Sequence, residues 1–391
     1  MATEAGADLT RRSLLLGTVL GGMLPWTKVQ AASPSHHGHW VSAWNDQGGH
    51  RVGLLQRAAD GWRVAASIDV PTRAHGLTVL PDGSVIAVAR RPGDWLLRWW
   101  PSLDGRPARA PRWRWAPAGR QFNGHAVLHP DGRHLLLTAT DTEADDGLGR
   151  GLLMRMRLDG LEPVAEAPTL GRDPHQLRIV PEANANGLRL WVANGGIASR
   201  PETGRARLID APMDASVALF ELQGAGNTLP AAPERRWTLA DPWLSLRHLA
   251  WHPASATLGI AMQAEHPRQA DRREAPVLAL LHAPVDIDPT ATLRTLPAGA
   301  GLDLAGYGGD IAATTSGFSV SSPKTGRIAH WQADGRWLGS RTLAQGCALE
   351  SEADGQRLQA AGERLTLGEA GAIEPLPVQP DNHWQRWPRP R

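Results

Sequence analysis

Short β-favouring runs separated by tight turns recur along this chain, and they open on a shared pattern. Ala74-His75-Gly76-Leu77, Gly124-His125-Ala126-Val127 and Pro174-His175-Gln176-Leu177 stand 50 residues apart. Arg247-His248-Leu249-Ala250, Gly309-Asp310-Ile311-Ala312, Gly346-Cys347-Ala348-Leu349 and Asn382-His383-Trp384 continue the frame. The longest step, to His248, contains an insertion at residues 197–214. A period of about 50 residues built from short strands is the size of a four-stranded propeller blade. The expected fold is all-β, a seven-bladed β-propeller. Before the first full unit, Trp40-Trp44, Arg51-Gln56 and Trp62-Ile68 read as three strands that lack an inner partner. His383-Trp387 reads as a lone strand at the other end. Pairing the two would close the ring and remove the open sheet edges.

The composition agrees. With 42 Gly and 31 Pro, long helices are disfavoured. Pro81-Asp82-Gly83 and Pro130-Asp131-Gly132 have the chemistry of strand-joining turns, where Asp bonds its own backbone and Gly accepts positive φ. A single cysteine excludes an intramolecular disulfide framework and any all-cysteine metal site. The formal charge of +2 and the lack of a basic run exclude an electrostatic case for nucleic acid. No Gly-x-Ser-x-Gly elbow, phosphate loop or repeated tryptophan-docking signature occurs, so neither a nucleotide nor a quinone cofactor is expected.

Residues Leu9-Thr10-Arg11-Arg12-Ser13-Leu14-Leu15-Leu16 read as a twin-arginine export signal. The apolar stretch Leu14 to Leu24 is too short to span a bilayer. Residues 1–31 are expected to be the signal, cleaved after Ala31, and 32–39 a flexible linker. Residues 40–391 would form the propeller, periplasmic and without stable membrane insertion after cleavage.

In a propeller the first strand of each blade lines the central channel. The seven aligned positions, His75, His125, His175, His248, Asp310, Cys347 and His383, would therefore converge at one channel mouth. All seven are transition-metal donors. Three or four of them would hold an iron, copper or zinc ion, and His75, His125 and His175, from adjacent blades, form the first choice. Second strands return to the same mouth, which places Arg90, Arg91, Asp141, Glu143, Asn194 and Gln263 on an outer rim suited to an anion or a cation. The insertion, with Arg205 and Arg207, would partly cover it.

The chain also resembles the bacterial family catalogued as domain of unknown function 1513. The resemblance rests on Arg73-Ala74-His75-Gly76, Ala89-Arg90-Arg91-Pro92-Gly93, Asp173-Pro174-His175-Gln176-Leu177, Val192-Ala193-Asn194-Gly195-Gly196-Ile197, Ser245-Leu246-Arg247-His248-Leu249 and Asp381-Asn382-His383. It implies an exported propeller encoded near imelysin-like and di-haem peroxidase-like proteins, and hence periplasmic iron handling. Three readings follow. The first is metal uptake or trafficking, with iron or copper as cargo and a periplasmic or membrane partner. The second is a metal-dependent oxidase or lactonase-type hydrolase at the same mouth. The third is a scaffold for protein partners.

Overall fold

The computed structural model describes residues 38–388, apart from 104–108, 145, 182–186, 199–212, 223–226, 285–286, 289, 300, 353–354, 357 and 368–371. The expected signal and most of the linker, and nearly all of the insertion at 197–214 with Arg205 and Arg207, lie outside the described residues. Among those described, no helix is long and apolar enough to cross a membrane.

The fold is a seven-bladed β-propeller of four-stranded antiparallel sheets. The inner strands of blades 2 to 7 are Ala74–Val79, Arg120–Leu128, Pro174–Pro181, Leu244–His252, Ile311–Thr314 and Gly346–Ser351. Blade 1 takes its inner strand, Trp384–Trp387, from the C-terminus and its other three from Gly38–Asp46, Gly49–Ala58 and Gly61–Val70. The join is an antiparallel ladder from His39↔Trp387 to Ser42↔Trp384. The first strand begins at Gly38, two residues ahead of the expected boundary at Trp40.

Turn chemistry sets the hairpins. Asp82 Oδ1 accepts from the Ser84 N–H at 3.0 Å, and Asp131 Oδ1 from the Arg133 N–H at 2.8 Å. The glycine in each turn, Gly83 at φ 78° and Gly132 at φ 67°, takes the backbone that a side chain would strain.

A blade buries its middle strands on both faces, so Val85–Ala89 and Trp95–Trp99 are wholly buried, while the outermost Arg112–Trp115 is largely open. The core is divided among the seams between neighbouring blades. Tryptophans fill several of these seams. Trp191 meets Trp237 at 5.5 Å between centroids, Trp331 meets Trp337 at 5.0 Å, and Trp40 stacks on Trp384 at 5.9 Å. Most of the apolar volume of this tryptophan-rich chain is thus spent on locking blade to blade.

Candidate metal centre

The ladder between first and second strands is interrupted where the recurring residues fall. Register shifts occur between Ala74 and Leu77, Phe122 and Ala126, Pro174 and Leu177, Leu246 and His248, and Gly346 and Ala348. A bulge frees a residue from the ladder and re-aims its side chain. Three of these bulges hold an imidazole, His75, His125 and His175, while the other two fall at Arg247, with His248 still paired to Ala261, and at Cys347. Close approach of the inner strands is secured by glycine. A Cβ on Gly76 would sit 2.2 Å from the Gly124 carbonyl oxygen. Gly124 itself has φ 97°, and a Cβ there would sit 2.7 Å from His75 Cδ2.

Five imidazoles meet on the axis. His75, His125 and His248 form a triangle with ring centroids 4.7, 5.3 and 6.0 Å apart. His383 caps one side, 4.7–5.1 Å from each of the three, and His175 the other, 4.7–5.0 Å from each. One nitrogen from each of His75, His125, His248 and His383 lies within 4.8 Å of the others. His175 Nε2 is 3.2 Å from His75 Nε2 and 3.1 Å from His248 Nε2. Of the expected first choice, His75 and His125 belong to this foursome with His248 and His383, and His175 contacts it from one side.

The cluster is buried: none of the five histidines is more than 9% exposed. Burial holds His125, His175 and His248 well below the usual imidazole range, and the neighbouring imidazoles, with Arg247 for the latter two, push the same way. His125 Nε2, His175 Nδ1, His248 Nδ1 and His383 Nε2 have no hydrogen-bond partner. Buried polar atoms are normally paired. Nor can the single Nε2 of neutral His175 satisfy both nitrogens in reach, because it offers either one proton or one lone pair. The donor set thus fits a cation: imidazole nitrogens converge, and His125 Nε2 and His383 Nε2 have no hydrogen-bond partner.

The other two aligned positions do not join the cluster. Asp310 serves as a brace. Its Oδ2 lies 3.1 Å from His383 Nδ1 and accepts from the Leu349 N–H at 3.0 Å, while Oδ1 accepts from the Ile311 N–H at 2.9 Å. That contact fixes the His383 tautomer and turns Nε2 inward, the usual role of a carboxylate behind a metal-binding histidine. Asn382 meets His75 with the opposite polarity: its Nδ2 donates to Nδ1 at 3.2 Å, which uses the Nδ1 lone pair and leaves the ring proton on Nε2. Cys347 Sγ is directed at Asn382 Oδ1, 3.9 Å away. Burial, with Asp310 and Asp381 close by, pushes its thiol up and keeps it protonated, which does not suit nucleophilic attack.

Ion pairs lie next to the histidine-bearing strand starts: Asp173 receives Arg91 at 2.6 Å and Arg247 at 2.7 Å, all three buried, and Arg73 pairs with Asp381. The rim residues are likewise tied into the scaffold. Arg91 is in the ion triad, and the Arg90 N–H donates to the Arg73 carbonyl at 2.8 Å. Asp141 pairs with Arg120 at 2.9 Å and accepts from the Glu143 N–H at 3.0 Å, with the Glu143 side chain exposed. Asn194 Nδ2 donates to Ser216 Oγ at 3.0 Å, and Gln263 Nε2 to the Gly308 carbonyl at 3.1 Å. Access comes from the other end. A cavity of about 640 Å³ touches His125, Asp310 and His383 and extends to the exposed turns at Pro253-Ala254 and Thr315. Gln176, Arg178 and Glu350, none of them marked by the repeat, line it.

Fold and site together define a closed seven-bladed propeller with a buried histidine cluster on its axis, a site that could hold a metal ion. The chain belongs to the family described as protein of unknown function (DUF1513), whose model matches residues 68–387. No protein of curated function matches its sequence. Among solved structures it is similar to a Bacteroides fragilis protein provisionally named a 6-phosphogluconolactonase (TM-score 0.60, 12% identity, covering 91% of this chain and 99% of that one). A Lactobacillus plantarum protein is similar to the same degree (0.60, 12%, 90% and 99%). A Desulfotomaculum acetoxidans protein of unknown function follows (0.57, 11%, 88% and 98%). At these identities the likeness extends to the fold alone.

Proposed function

We propose that this propeller binds one transition-metal ion at the axial histidine cluster and serves metal uptake or trafficking in the periplasm, after twin-arginine export. The observation that carries the reading is the convergence of four buried imidazole nitrogens, within 4.8 Å of one another, two of them without a hydrogen-bond partner. Metal–imidazole bonds of about 2.0–2.1 Å require donors closer than this, so the rings would draw in on loading. An all-nitrogen set suits copper, zinc or iron, and copper would bind most tightly in the divalent series. Iron is favoured by the resemblance drawn from the sequence. The ion is cargo here, handed to a periplasmic or membrane partner.

The 640 Å³ cavity favours a second reading, because it leaves a face of the cluster reachable by a small molecule. A metal-dependent oxidase or hydrolase would need such an open position.

The test is elemental analysis of protein exported by its native host, followed by thermal unfolding with and without added metal. Free metal at a hundred times Kd should stabilise the fold by about 2.7 kcal/mol. The variant His125→Ala/His248→Ala should lose both the metal and the stabilisation. A wild-type protein that carries no stoichiometric metal and gains no stability from iron, copper or zinc would refute the proposal.

A further inference from the structure

His75 and His383 face one cluster, yet the groups behind them are opposite in kind. Both Asp310 oxygens accept backbone N–H groups, and Oδ2 also stands 3.1 Å from His383 Nδ1. The His383 proton therefore sits on Nδ1, and the Nε2 lone pair is left for the cluster. Nothing among the described residues takes it up. Behind His75 stands the Asn382 amide, whose orientation is set from its far side. Its Oδ1 faces Arg73 Nη2 at 3.4 Å, and a guanidinium has no lone pair to offer an amide turned the other way. The Cys347 thiol points at the same oxygen. Arg73 is itself anchored by Asp381, the residue before Asn382.

With Oδ1 turned to Arg73, Nδ2 is left to donate to His75 Nδ1 at 3.2 Å. The ring proton then lies on Nε2, 3.2 Å from His175 Nε2, which can accept it in a hydrogen bond. In this tautomer neither nitrogen of His75 offers a lone pair to an ion. Ligation through Nε2 requires the proton to move to Nδ1, where it meets the N–H of the amide. Only turning the amide over relieves that clash, and doing so gives up the Arg73 contact. Ligation through Nδ1 requires the amide to leave altogether.

We propose that Asn382 is a positioning residue that loosens the metal site by holding His75 as the Nε2–H tautomer. The effect on the ion rests on the metal reading above, whereas the tautomer does not. An ion is first gripped by His125, His248 and His383, and it gains His75 only against the amide. A site of four imidazoles then binds more weakly than its donor count suggests, which suits a carrier that must hand its ion on. The His383 side, braced by a carboxylate, is the firm half of the site, and the His75 side is the yielding half.

Asn382→Asp puts an acceptor oxygen where the amide donates and keeps the size of the side chain. In isotope-labelled, metal-free protein, long-range nitrogen–proton NMR should show His75 protonated at Nε2 in wild type and at Nδ1 in Asn382→Asp. Zinc, titrated in competition with a chromophoric chelator, should bind Asn382→Asp at least about tenfold more tightly than wild type, the scale of a group placed behind a histidine ligand. Asn382→Ala removes the donor without adding a charge and should also tighten zinc, by less, which separates the tautomer from attraction to a new carboxylate. Damage to the fold would weaken zinc, not tighten it. Wild-type His75 protonated at Nδ1, or zinc bound by wild type at least as tightly as by either variant, would overturn the proposal and leave the metal reading intact. If none of the three proteins binds zinc, the metal reading falls and this one with it.

Discussion

Acidifying the metal-free protein should destabilise it, by an amount the buried groups allow to be worked out. Take a step from about pH 7.5 to about pH 5.5. In the unfolded chain imidazoles titrate near 6.5 and are mostly protonated at the lower pH. In the folded chain His125, His175 and His248 stay neutral because burial holds them well below that value, and the half-buried His330 is lowered to about 4. The unfolded state therefore binds more protons, and stability falls as pH drops through the unfolded value. One pH unit below it, each such group costs about 1.4 kcal/mol, so four cost about 5–6 kcal/mol. Glu350 works in the opposite direction. Its folded value of about 8 lies above the ordinary 4.5, so its ionisation strains the fold at the higher pH and that strain is relieved on acidification. The relief is about 2 kcal/mol, which leaves a net loss of about 3 kcal/mol. Urea unfolding in chelator, followed by tryptophan fluorescence, measures it. Glu350→Gln should steepen the loss, because only the imidazoles remain. Stability that is equal or higher at the lower pH, in wild type and in Glu350→Gln alike, would refute the claim that the histidines are buried neutral. Bound metal should not lessen the loss, since a ligated imidazole takes up no proton in the folded state while the unfolded chain still protonates.

Two further changes probe the scaffold. Trp384→Ala empties a buried position that packs on Trp40 and Trp62 in the closing seam, and should cost about 3–5 kcal/mol in urea unfolding. A cost below about 1 kcal/mol would mean that the seam does not depend on it. Gly124→Ala forces a side chain onto a backbone at φ 97° and against His75. It should cost about 1–3 kcal/mol and weaken metal binding at least about tenfold, measured by competition with a chromophoric chelator.

Much of this was legible in the chain. The spacing of the His-bearing motifs gave the blade number, and the unpartnered strand at each end gave the closure. Five of the seven aligned side chains do meet on the axis, because residues at equivalent places in a ring must. The shortfall has a local cause. Asp310 precedes a strand whose ladder runs without a bulge and turns its carboxylate to backbone amides and to His383. Alignment finds the position but not this reorientation. The pairing of distant segments at the rim, such as Arg91 and Arg247 with Asp173, has no period to betray it in the sequence. Arg178 and Glu350 carried a faint signal. Each is a charged residue three places past an aligned position on an inner strand, where neighbouring sequence is mostly apolar.

The donor His383 enters with the last strand of the polypeptide, the one that seals blade 1. During synthesis, the other three nitrogens of the foursome can be in place while the fourth is still unmade. An ion captured there would pin the final strand to blades 2, 3 and 5 at once, a rivet across the only join in the ring that covalent chain continuity does not already hold. Cargo would then load last, onto finished rings, and losing the C-terminus would disable carriage and ring closure in the same stroke.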